Sequence, residues 1–438
     1  GGAGGGGGDG EGEKKRAAKG GSEEPDPKKA GDDGKTGSPA PDGAVAEAIG
    51  EDGFEAEIEV SDDARLRFTM HNGPVHSIAL DKDGGRALSG DQEDTAILWD
   101  TKSGKVIKKL GGHTDTVVAT GWNSDFSAFA TASMDGTVRI HKESGKVRTL
   151  KGPETEIYWF QWHHKGPVVL AGCGDGTVWM WHAMNGKCMQ VFAGHADVVS
   201  CGGFSHDGKL VVSGSYDEKV IVWSPKTGEP LHRIQAKNMR GFHNAPLTCL
   251  AVHHSKPIMV TGAEDGTVWL CSLSKDSSKP LKQLAEHKQS VEAASFSKVL
   301  DLVLTASADG SIIVTDVSNK SVRARIETEG AITSALWHPK APAFFSCGTD
   351  TLVQLWDARN GKMVRQYSGH SDTVLCLAVS QDGSSVFSAG DDGTCAVFEV
   401  KKKNNSDSVD RKNPETENEG ASEEKRKAID TTAKDANT

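Results

Sequence analysis

The sequence contains no long apolar run. A membrane-spanning helix needs about 20 consecutive, mostly apolar residues, and no stretch of the 438 residues approaches that length. The Gly-rich, charged start also lacks the apolar segment of a secretory signal. These absences predict no membrane span and no secretion. We therefore expect a cytoplasmic protein, with the nucleus as an alternative location.

Cysteine is scarce and scattered. The eight cysteines include no Cys-x-x-Cys pair, and none stands in a Cys/His cluster with the spacing of metal ligands. We expect no metal site, no cofactor, and a reducing compartment in which cysteine behaves as a small apolar residue. The positions are Cys173, Cys188, Cys201, Cys249, Cys271, Cys347, Cys376 and Cys395.

An excess of charge of one sign occurs only at the start of the chain. Residues 1–63 carry 17 acidic and 7 basic side chains, residues 64–400 carry 35 and 34, and residues 401–438 carry 9 and 9. The nearly neutral body argues against direct binding of nucleic acid. Residues 41–63, with nine acidic and no basic side chains, form an acidic arm suited to attract a basic partner. A merely solubilising tail is the alternative.

One unit repeats eight times between residues 64 and 400. It has a His or its substitute, an apolar residue four later, an acidic turn residue 22 later, and a Trp-like position six after that. Short apolar runs alternate with turn signals, which predicts four strands per unit, one blade of a β-propeller. The acidic positions are Glu93, Asp135, Asp175, Asp217, Asp265, Asp309, Asp350 and Asp392. The predicted fold class is all-β, a single eight-bladed propeller.

The units resemble the WD-repeat family, whose signature is matched by Gly194-His195, Trp99-Asp100 and Trp356-Asp357. In that family a His, a Ser or Thr, the turn Asp and the Trp form a hydrogen-bonded tetrad. By this resemblance only the fourth unit has the complete structural tetrad, which is His195, Ser213, Asp217 and Trp223. The same residue types recur eight times at one spacing, so we interpret them as structural and predict no catalytic residue.

The two ends of the chain differ from the repeats. The eighth unit ends near Val400 without an outer strand, while residues 64–70 alternate polar and apolar side chains directly before His71. Because a propeller with an open edge would be prone to aggregation, we expect residues 64–70 to complete the last blade. Residues 1–63 and 401–438 are low in apolar side chains, so we expect disordered N- and C-terminal tails.

Acidic side chains cluster next to the repeated loops. The loops carrying the His positions and the acidic turns are expected to converge on one face, where propellers of this family bind partners. The acidic residues would give that face a negative potential; an ordinarily solvated rim is the alternative. The acidic candidates for partner binding are Asp91, Asp94, Asp115, Glu154, Glu156, Asp197, Glu264, Asp372 and Asp391.

The third unit departs from the pattern. Pro153 replaces its His, and Ala171 replaces its hydroxyl residue. Trp159, six residues after Pro153, stands where the other seven units have Ser, Ala or Cys. Two interpretations are open: Trp159 fills the space left by the missing tetrad members, or it is an aromatic anchor for a partner near the central channel.

A narrower resemblance concerns the third blade. The segment from Glu156 to Trp181, followed by Asn185-Gly186, resembles the angio-associated migratory cell protein family, and the acidic arm and the run from Leu355 to Gly361 fit it as well. Fungal members of that family are dedicated chaperones of the QM-type protein of the large ribosomal subunit, and animal members are linked to cell migration.

The resemblance implies a chaperone function. The chain would hold the basic N-terminal segment of the QM-type ribosomal protein on an acidic propeller face until assembly. We expect this escort to be non-catalytic and monomeric. The rival hypothesis is a general scaffold or adaptor in signalling, cell migration or ubiquitin-ligase assembly.

Overall fold

The computed structural model describes residues 63–237 and 242–400, and all regular structure in these ranges is β-strand. The strands form eight four-stranded antiparallel sheets, the blades of a propeller, so the predicted fold is confirmed. No helix in the described ranges is long and apolar enough to cross a membrane. Of the tails predicted to be disordered, residues 1–63 and 401–438, all but Asp63 lie outside the described residues.

Each blade runs from an inner strand at the central channel to an outer strand at the rim. Blade 1 is β2 (Val75–Leu80), β3 (Arg86–Asp91), β4 (Ala96–Asp100) and β5 (Val106–Leu110); blade 2 is β6 (Val117–Trp122), β7 (Ala128–Ser133), β8 (Val138–Lys142) and β9 (Val147–Leu150). Blade 3 is β10 (Ile157–Trp162), β11 (Val168–Cys173), β12 (Thr177–His182) and β13 (Lys187–Ala193); blade 4 is β14 (Cys201–Phe204), β15 (Val211–Gly214), β16 (Val220–Trp223) and β17 (Pro230–Ile234).

The second half of the ring follows the same order. Blade 5 is β18 (Leu247–Val252), β19 (Ile258–Ala263), β20 (Thr267–Ser272) and β21 (Pro280–Glu286); blade 6 is β22 (Val291–Phe296), β23 (Leu302–Ser307), β24 (Ser311–Asp316) and β25 (Ser321–Glu327). Blade 7 is β26 (Ile332–Trp337), β27 (Ala343–Gly348), β28 (Val353–Asp357) and β29 (Lys362–Tyr367); blade 8 is β30 (Val374–Val379), β31 (Ser385–Gly390), β32 (Cys395–Glu399) and β1 (Leu66–Phe68).

The middle strands of a blade are buried on both faces, and their sequences are correspondingly apolar. In blade 4 every residue of β15 and β16 is buried. The tight turns between middle strands place glycine in the left-handed region, as at Gly176, with φ +79°. A Cβ on Gly176 would stand 2.8 Å from the carbonyl oxygen of His195. This turn therefore packs directly against the loop of the next blade.

The hydrophobic core lies between adjacent blades. Ala130 and Ile140 of blade 2 pack in one cluster with Val169 and Trp181 of blade 3. Burying one large apolar side chain contributes about 1.5–3 kcal/mol, and a blade on its own would expose both faces. Each blade therefore depends on its two neighbours for a core.

The cysteines behave as the sequence predicts. All eight are free thiols, and six of them are buried. Burial raises the pKa of the Cys173 thiol to about 12, so this thiol stays protonated and unreactive at neutral pH. Within the described ranges no group of three or more His, Cys, Asp or Glu side chains is arranged to hold a metal ion.

The ring closes through the first strand of the chain. Leu66 pairs with Val397 and Phe68 with Cys395, so β1 is the outer strand of blade 8. The Phe68 side chain is only 1% exposed and stacks on Trp99 of blade 1, with ring centroids 4.5 Å apart. This strand lies within residues 64–70, the segment expected to complete the last blade. One short strand thus joins the last blade to the first.

Closure makes Phe68 more important than its place near the start of the fold suggests. We expect Phe68→Ala to lower the free energy of unfolding by about 3–5 kcal/mol, because it opens a cavity at the junction of blades 8 and 1. Urea denaturation followed by tryptophan fluorescence measures this. The control Met70→Ala, whose side chain is 48% exposed, should change stability by less than about 0.5 kcal/mol. Equal effects of the two substitutions would contradict the closure role.

Candidate partner-binding face

The repeated loops and the acidic turns meet on one face in all eight blades. In each blade a backbone N–H of the turn between the middle strands donates to a carbonyl of the loop before the inner strand, with N···O distances of 2.9–3.0 Å. The donor–acceptor pairs are Gln92–Pro74, Met134–Thr116, Gly174–Glu156, Tyr216–Val198, Glu264–Pro246, Ala308–Ser290, Thr349–Ala331 and Asp391–Thr373. We call this surface the turn face and the other side of the disc the opposite face.

Blade 4 contains the tetrad expected from the sequence. His195 Nδ1 lies 3.0 Å from Asp217 Oδ1, and His195 Nε2 lies 2.8 Å from Ser213 Oγ. The indole N–H of Trp223 donates to the same Ser213 oxygen at 2.8 Å. Burial opposes ionisation of Asp217, but the hydrogen bonds from His195 and the Ala196 backbone hold its pKa well below the usual range. The tetrad thus links the acidic turn between β15 and β16 to the loop that carries His195.

Blade 1 also has a complete tetrad, so the prediction that only blade 4 does is wrong. His71 Nδ1 lies 2.6 Å from Asp91 Oδ2, and its Nε2 lies 2.6 Å from Ser89 Oγ, to which Trp99 donates at 3.1 Å. The acidic partner is Asp91, two residues before the position expected. The Glu93 side chain is exposed and lies next to Gly73 in the loop before β2.

This arrangement also corrects the expected surface position of Asp91. The residue is 1% exposed because its carboxylate is turned inward to His71. Asp91 therefore stabilises blade 1 and is not exposed for contact with a partner.

The other blades keep parts of the tetrad. Blades 2 and 8 retain the His–Asp contact, His113–Asp135 at 2.8 Å and His370–Asp392 at 2.9 Å. In blade 5 the hydroxyl of Thr267 replaces the Asp as the partner of His243. These polar groups satisfy one another beneath the surface, where an unpaired group would cost about 1–3 kcal/mol. Their arrangement serves blade structure.

Most of the remaining acidic candidates reach solvent on the turn face. Asp115, Glu154, Glu156, Asp197, Glu264 and Asp372 are exposed, whereas Asp94 and Asp391 are half-buried. Three of the exposed residues occupy equivalent loop positions, and each carboxylate accepts a hydrogen bond at 2.7 Å from the next backbone N–H through Oδ1. These are Asp115, Asp197 and Asp372. Within the described ranges their Oδ2 atoms have no hydrogen-bond partner and point the charge to solvent.

A cluster of two tyrosines and two glutamates also lies on the turn face, and only Glu264 of this cluster was among the predicted residues. It consists of Tyr158, Tyr216, Glu264 and Glu292, one residue from each of blades 3 to 6. Burial raises the pKa of Tyr216, and electrostatic interactions with Tyr158, Glu264 and Glu292 raise it further. Tyr158 and Tyr216 are 38% and 41% exposed. We call these four residues the tyrosine–glutamate cluster.

The local backbone explains why the cluster faces solvent. The inner strand is bulged at Tyr158 and at Glu292, where one extra residue interrupts the pairing. A β-bulge redirects the side chain that it carries. Aligning the eight units would have shown both positions as variable: the bulge residue is five after the His position, and Tyr216 and Glu264 each precede the acidic turn residue by one.

Trp159 packs between blades 3 and 4. Its indole lies against Gly172 of β11 and Gly202 of β14, and a Cβ on either glycine would collide with the ring. The side chain is half-buried, and its Nε1 is buried without a hydrogen-bond partner. This position agrees with the space-filling interpretation, because two glycines provide the room. An anchoring role for Trp159 stays a prediction.

Comparison with known families defines the class. Residues 64–100, 186–224, 236–272, 278–316, 320–357 and 361–399 match the WD domain, G-beta repeat. Residues 122–204 match the WD40 domain of anaphase-promoting complex subunit 4. The protein is thus a WD-repeat β-propeller, as the repeat and the tetrads indicate.

Comparison with curated relatives shows to which family of WD-repeat proteins the chain belongs. The human angio-associated migratory cell protein is 30% identical over 80% of this chain and 83% of its own length. The chain belongs to the angio-associated migratory cell protein family. The ribosome assembly protein SQT1 of Saccharomyces cerevisiae is 24% identical over 81% of this chain and 90% of its own. The crystal structure of Chaetomium thermophilum Sqt1 bound to the N-terminus of ribosomal protein L10 superposes with a TM-score of 0.69 at 23% identity, covering 78% of this chain and 100% of that one.

The tetrad of blade 1 predicts different roles for two neighbouring acidic residues. Asp91→Ala should destabilise the fold by about 1–3 kcal/mol, because it leaves the buried His71 Nδ1 without its partner. Glu93→Ala should change stability by less than about 0.5 kcal/mol. Urea denaturation of the two variants measures the difference. A larger loss of stability for Glu93→Ala than for Asp91→Ala would show that Glu93 is the acidic member of the tetrad, as the sequence spacing predicts.

The buried histidines predict a loss of stability in mild acid. Burial, with a smaller contribution from the charge of Lys108, lowers the pKa of His141 from 6.5 to about 4. Because the folded-state pKa lies below the unfolded value, the stabilising contribution is complete above pH 6.5 and is lost as the pH falls toward 4. We expect His141→Phe, which keeps the stack on Phe129, to lose about 1–2 kcal/mol less stability than the native chain between pH 7 and pH 5.

Urea midpoints at the two pH values test this linkage. An identical pH dependence for His141→Phe and the native chain would show that His141 does not contribute.

Proposed function

We propose that this propeller is a non-catalytic, cytoplasmic escort that binds the basic N-terminal segment of the QM-type large-subunit ribosomal protein on its turn face. The observation that carries the proposal is the charge of that face. Exposed carboxylates lie on the loops and turns around it, and the eight inner strands contain no Lys or Arg and one Glu, Glu292. A basic peptide entering the channel mouth therefore meets only acidic or neutral side chains on these strands.

The relatives support the same partner chemistry. The SQT1 relative is named for ribosome assembly, and the C. thermophilum propeller holds the N-terminus of a ribosomal protein. A similar use of this chain agrees with its acidic turn face. A newly made ribosomal protein is rich in Lys and Arg, and masking that charge prevents unspecific binding to RNA until assembly.

The tyrosine–glutamate cluster gives the turn face more than charge. An exposed carboxylate–ammonium pair contributes only about 0.2–1 kcal/mol. A cation stacked on a tyrosine ring adds about 0.5–1 kcal/mol at an exposed site. Tyr216 interacts electrostatically with Tyr158, Glu264 and Glu292, so a bound Lys or Arg side chain could be stabilised by an aromatic ring and by the nearby carboxylates. The cluster is thus the part of the face best suited to bind the peptide.

The acidic arm joins the propeller at the rim of the disc, through its last residue, Asp63. The backbone N–H of Asp63 donates to the Ser368 carbonyl at 3.0 Å, and its carboxylate lies 3.8 Å from Arg365. Residues 41–62 lie outside the described residues. We propose that the arm raises the rate at which a basic segment meets the propeller, since long-range attraction acts on encounter more than on the final contacts.

Binding of the basic segment tests the proposal. A labelled peptide with the N-terminal sequence of the QM-type protein from the same organism is titrated with the full chain at two salt concentrations. We expect submicromolar affinity that weakens as salt rises. The double variant Glu264→Lys/Glu292→Lys should weaken binding at least tenfold, because it reverses two charges beside the tyrosines.

A matched variant controls for net charge. Asp83 and Asp276 are exposed on the opposite face, and Asp83→Lys/Asp276→Lys changes the total charge by the same amount. It should alter the affinity less than twofold. Absence of binding at low salt would contradict the escort function and leave a scaffold or adaptor with another partner.

A further inference from the structure

A second concave site opens on the opposite face between blades 4 and 5. It is a groove of about 680 Å³, bordered by the loops that join inner to second strands and third to outer strands. These loops lie at the strand ends away from the turn face. The groove is therefore separate from the proposed peptide site, and we call it the blade 4–5 groove.

The floor of the blade 4–5 groove is apolar. It is formed by Leu210, Leu231 and Leu273, with Pro225 and Pro257 along the sides. Leu210 and Leu273 belong to the core between the two blades, and Leu231 is half-buried at the surface. A large apolar side chain seated here would extend an existing hydrophobic cluster, a gain of about 1.5–3 kcal/mol if fully buried.

The rim of the groove is cationic. Lys209, Lys226 and Lys275 are all exposed and border the groove. Lys209 lies 3.4 Å from Asp207, whereas the ammonium groups of Lys226 and Lys275 have no hydrogen-bond or ion-pair partner within the described ranges. Two lysines without a partner, one from each blade, thus border the same apolar floor.

The groove is preformed. His232 of β17 bonds through Nε2 to the carbonyl of Lys275 at 2.8 Å, which ties the loop of blade 5 to the outer strand of blade 4. At the other side, His206 Nδ1 is buried without a hydrogen-bond partner. The hydrogen bond of His232 therefore holds two elements that border the groove in a fixed position.

We propose that the blade 4–5 groove binds an acidic peptide that carries a large apolar side chain between carboxylates. The apolar side chain occupies the leucine floor, and the flanking carboxylates pair with Lys226 and Lys275. An RNA strand fits less well, because the described residues that line the groove include no Phe, Tyr or Trp for base stacking and no Arg for bidentate phosphate contacts. The protein would then hold a basic partner on one face and an acidic partner on the other.

A peptide of the predicted chemistry tests the groove directly. The probe is the labelled hexapeptide Glu-Glu-Leu-Phe-Glu-Glu, titrated by fluorescence anisotropy with the full chain at low salt. We expect saturable binding that falls at least tenfold in the double variant Lys226→Glu/Lys275→Glu. The hexapeptide Glu-Glu-Ser-Ser-Glu-Glu, which lacks the apolar side chains, should also bind at least tenfold more weakly.

Controls separate the groove from general electrostatic attraction. Lys298→Glu/Lys340→Glu reverses two exposed lysines on the same face, in the loops that join inner to second strands in blades 6 and 7, and should change affinity less than twofold. Glu264→Lys/Glu292→Lys on the turn face should also leave it unchanged within twofold, so this test stands independently of the escort function.

Several results would overturn the proposal. These are the absence of saturable binding, equal weakening by the Lys298/Lys340 control, and equal affinity of the serine peptide. Tighter binding of a single-stranded oligonucleotide of the same charge, abolished by Lys226→Glu/Lys275→Glu, would assign the groove to nucleic acid instead.

Discussion

Each blade of this protein needs a neighbour on both sides, and that requirement forces the ring to close. A four-stranded sheet with two apolar faces is unstable alone, and the clusters that stabilise it combine residues from adjacent blades. The chain meets this requirement at its seam with three residues of β1, which pair with β32 while Phe68 packs on blade 1. The first strand of the chain therefore belongs to the last blade, and this arrangement joins the two ends of the ring.

Because packing between blades supplies the core, the hydrogen-bonded tetrads can vary. Blades 1 and 4 contain the full set, blades 2 and 8 keep the His–Asp contact, and blade 3 has Pro153 in place of its His. In blade 3 the indole N–H of Trp181 donates to the Lys151 carbonyl at 2.8 Å instead. The loss of one polar partner is tolerated wherever another acceptor or donor replaces it, since the cost arises from unpaired buried groups.

Charged side chains are distributed unevenly between the two faces. Strand ends on the turn face carry aspartates and glutamates, and the loops on the opposite face carry the unpaired lysines of the blade 4–5 groove. A nearly neutral body can therefore present an acidic surface to one partner and a cationic groove to another. The nearly neutral total of residues 64–400 does not reveal where these charges lie.

The eightfold spacing was sufficient to predict the class of fold and the number of blades, because the physical demand of each blade repeats in register along the chain. It also placed six exposed acidic residues on the turn face. The tertiary structure decided the rest. Asp91, and not Glu93 two residues later in the same turn, contacts the buried His71. The tyrosine–glutamate cluster and the blade 4–5 groove each combine residues from different blades. Local spacing determines the blade, whereas contacts between blades depend on how the ring brings distant units together.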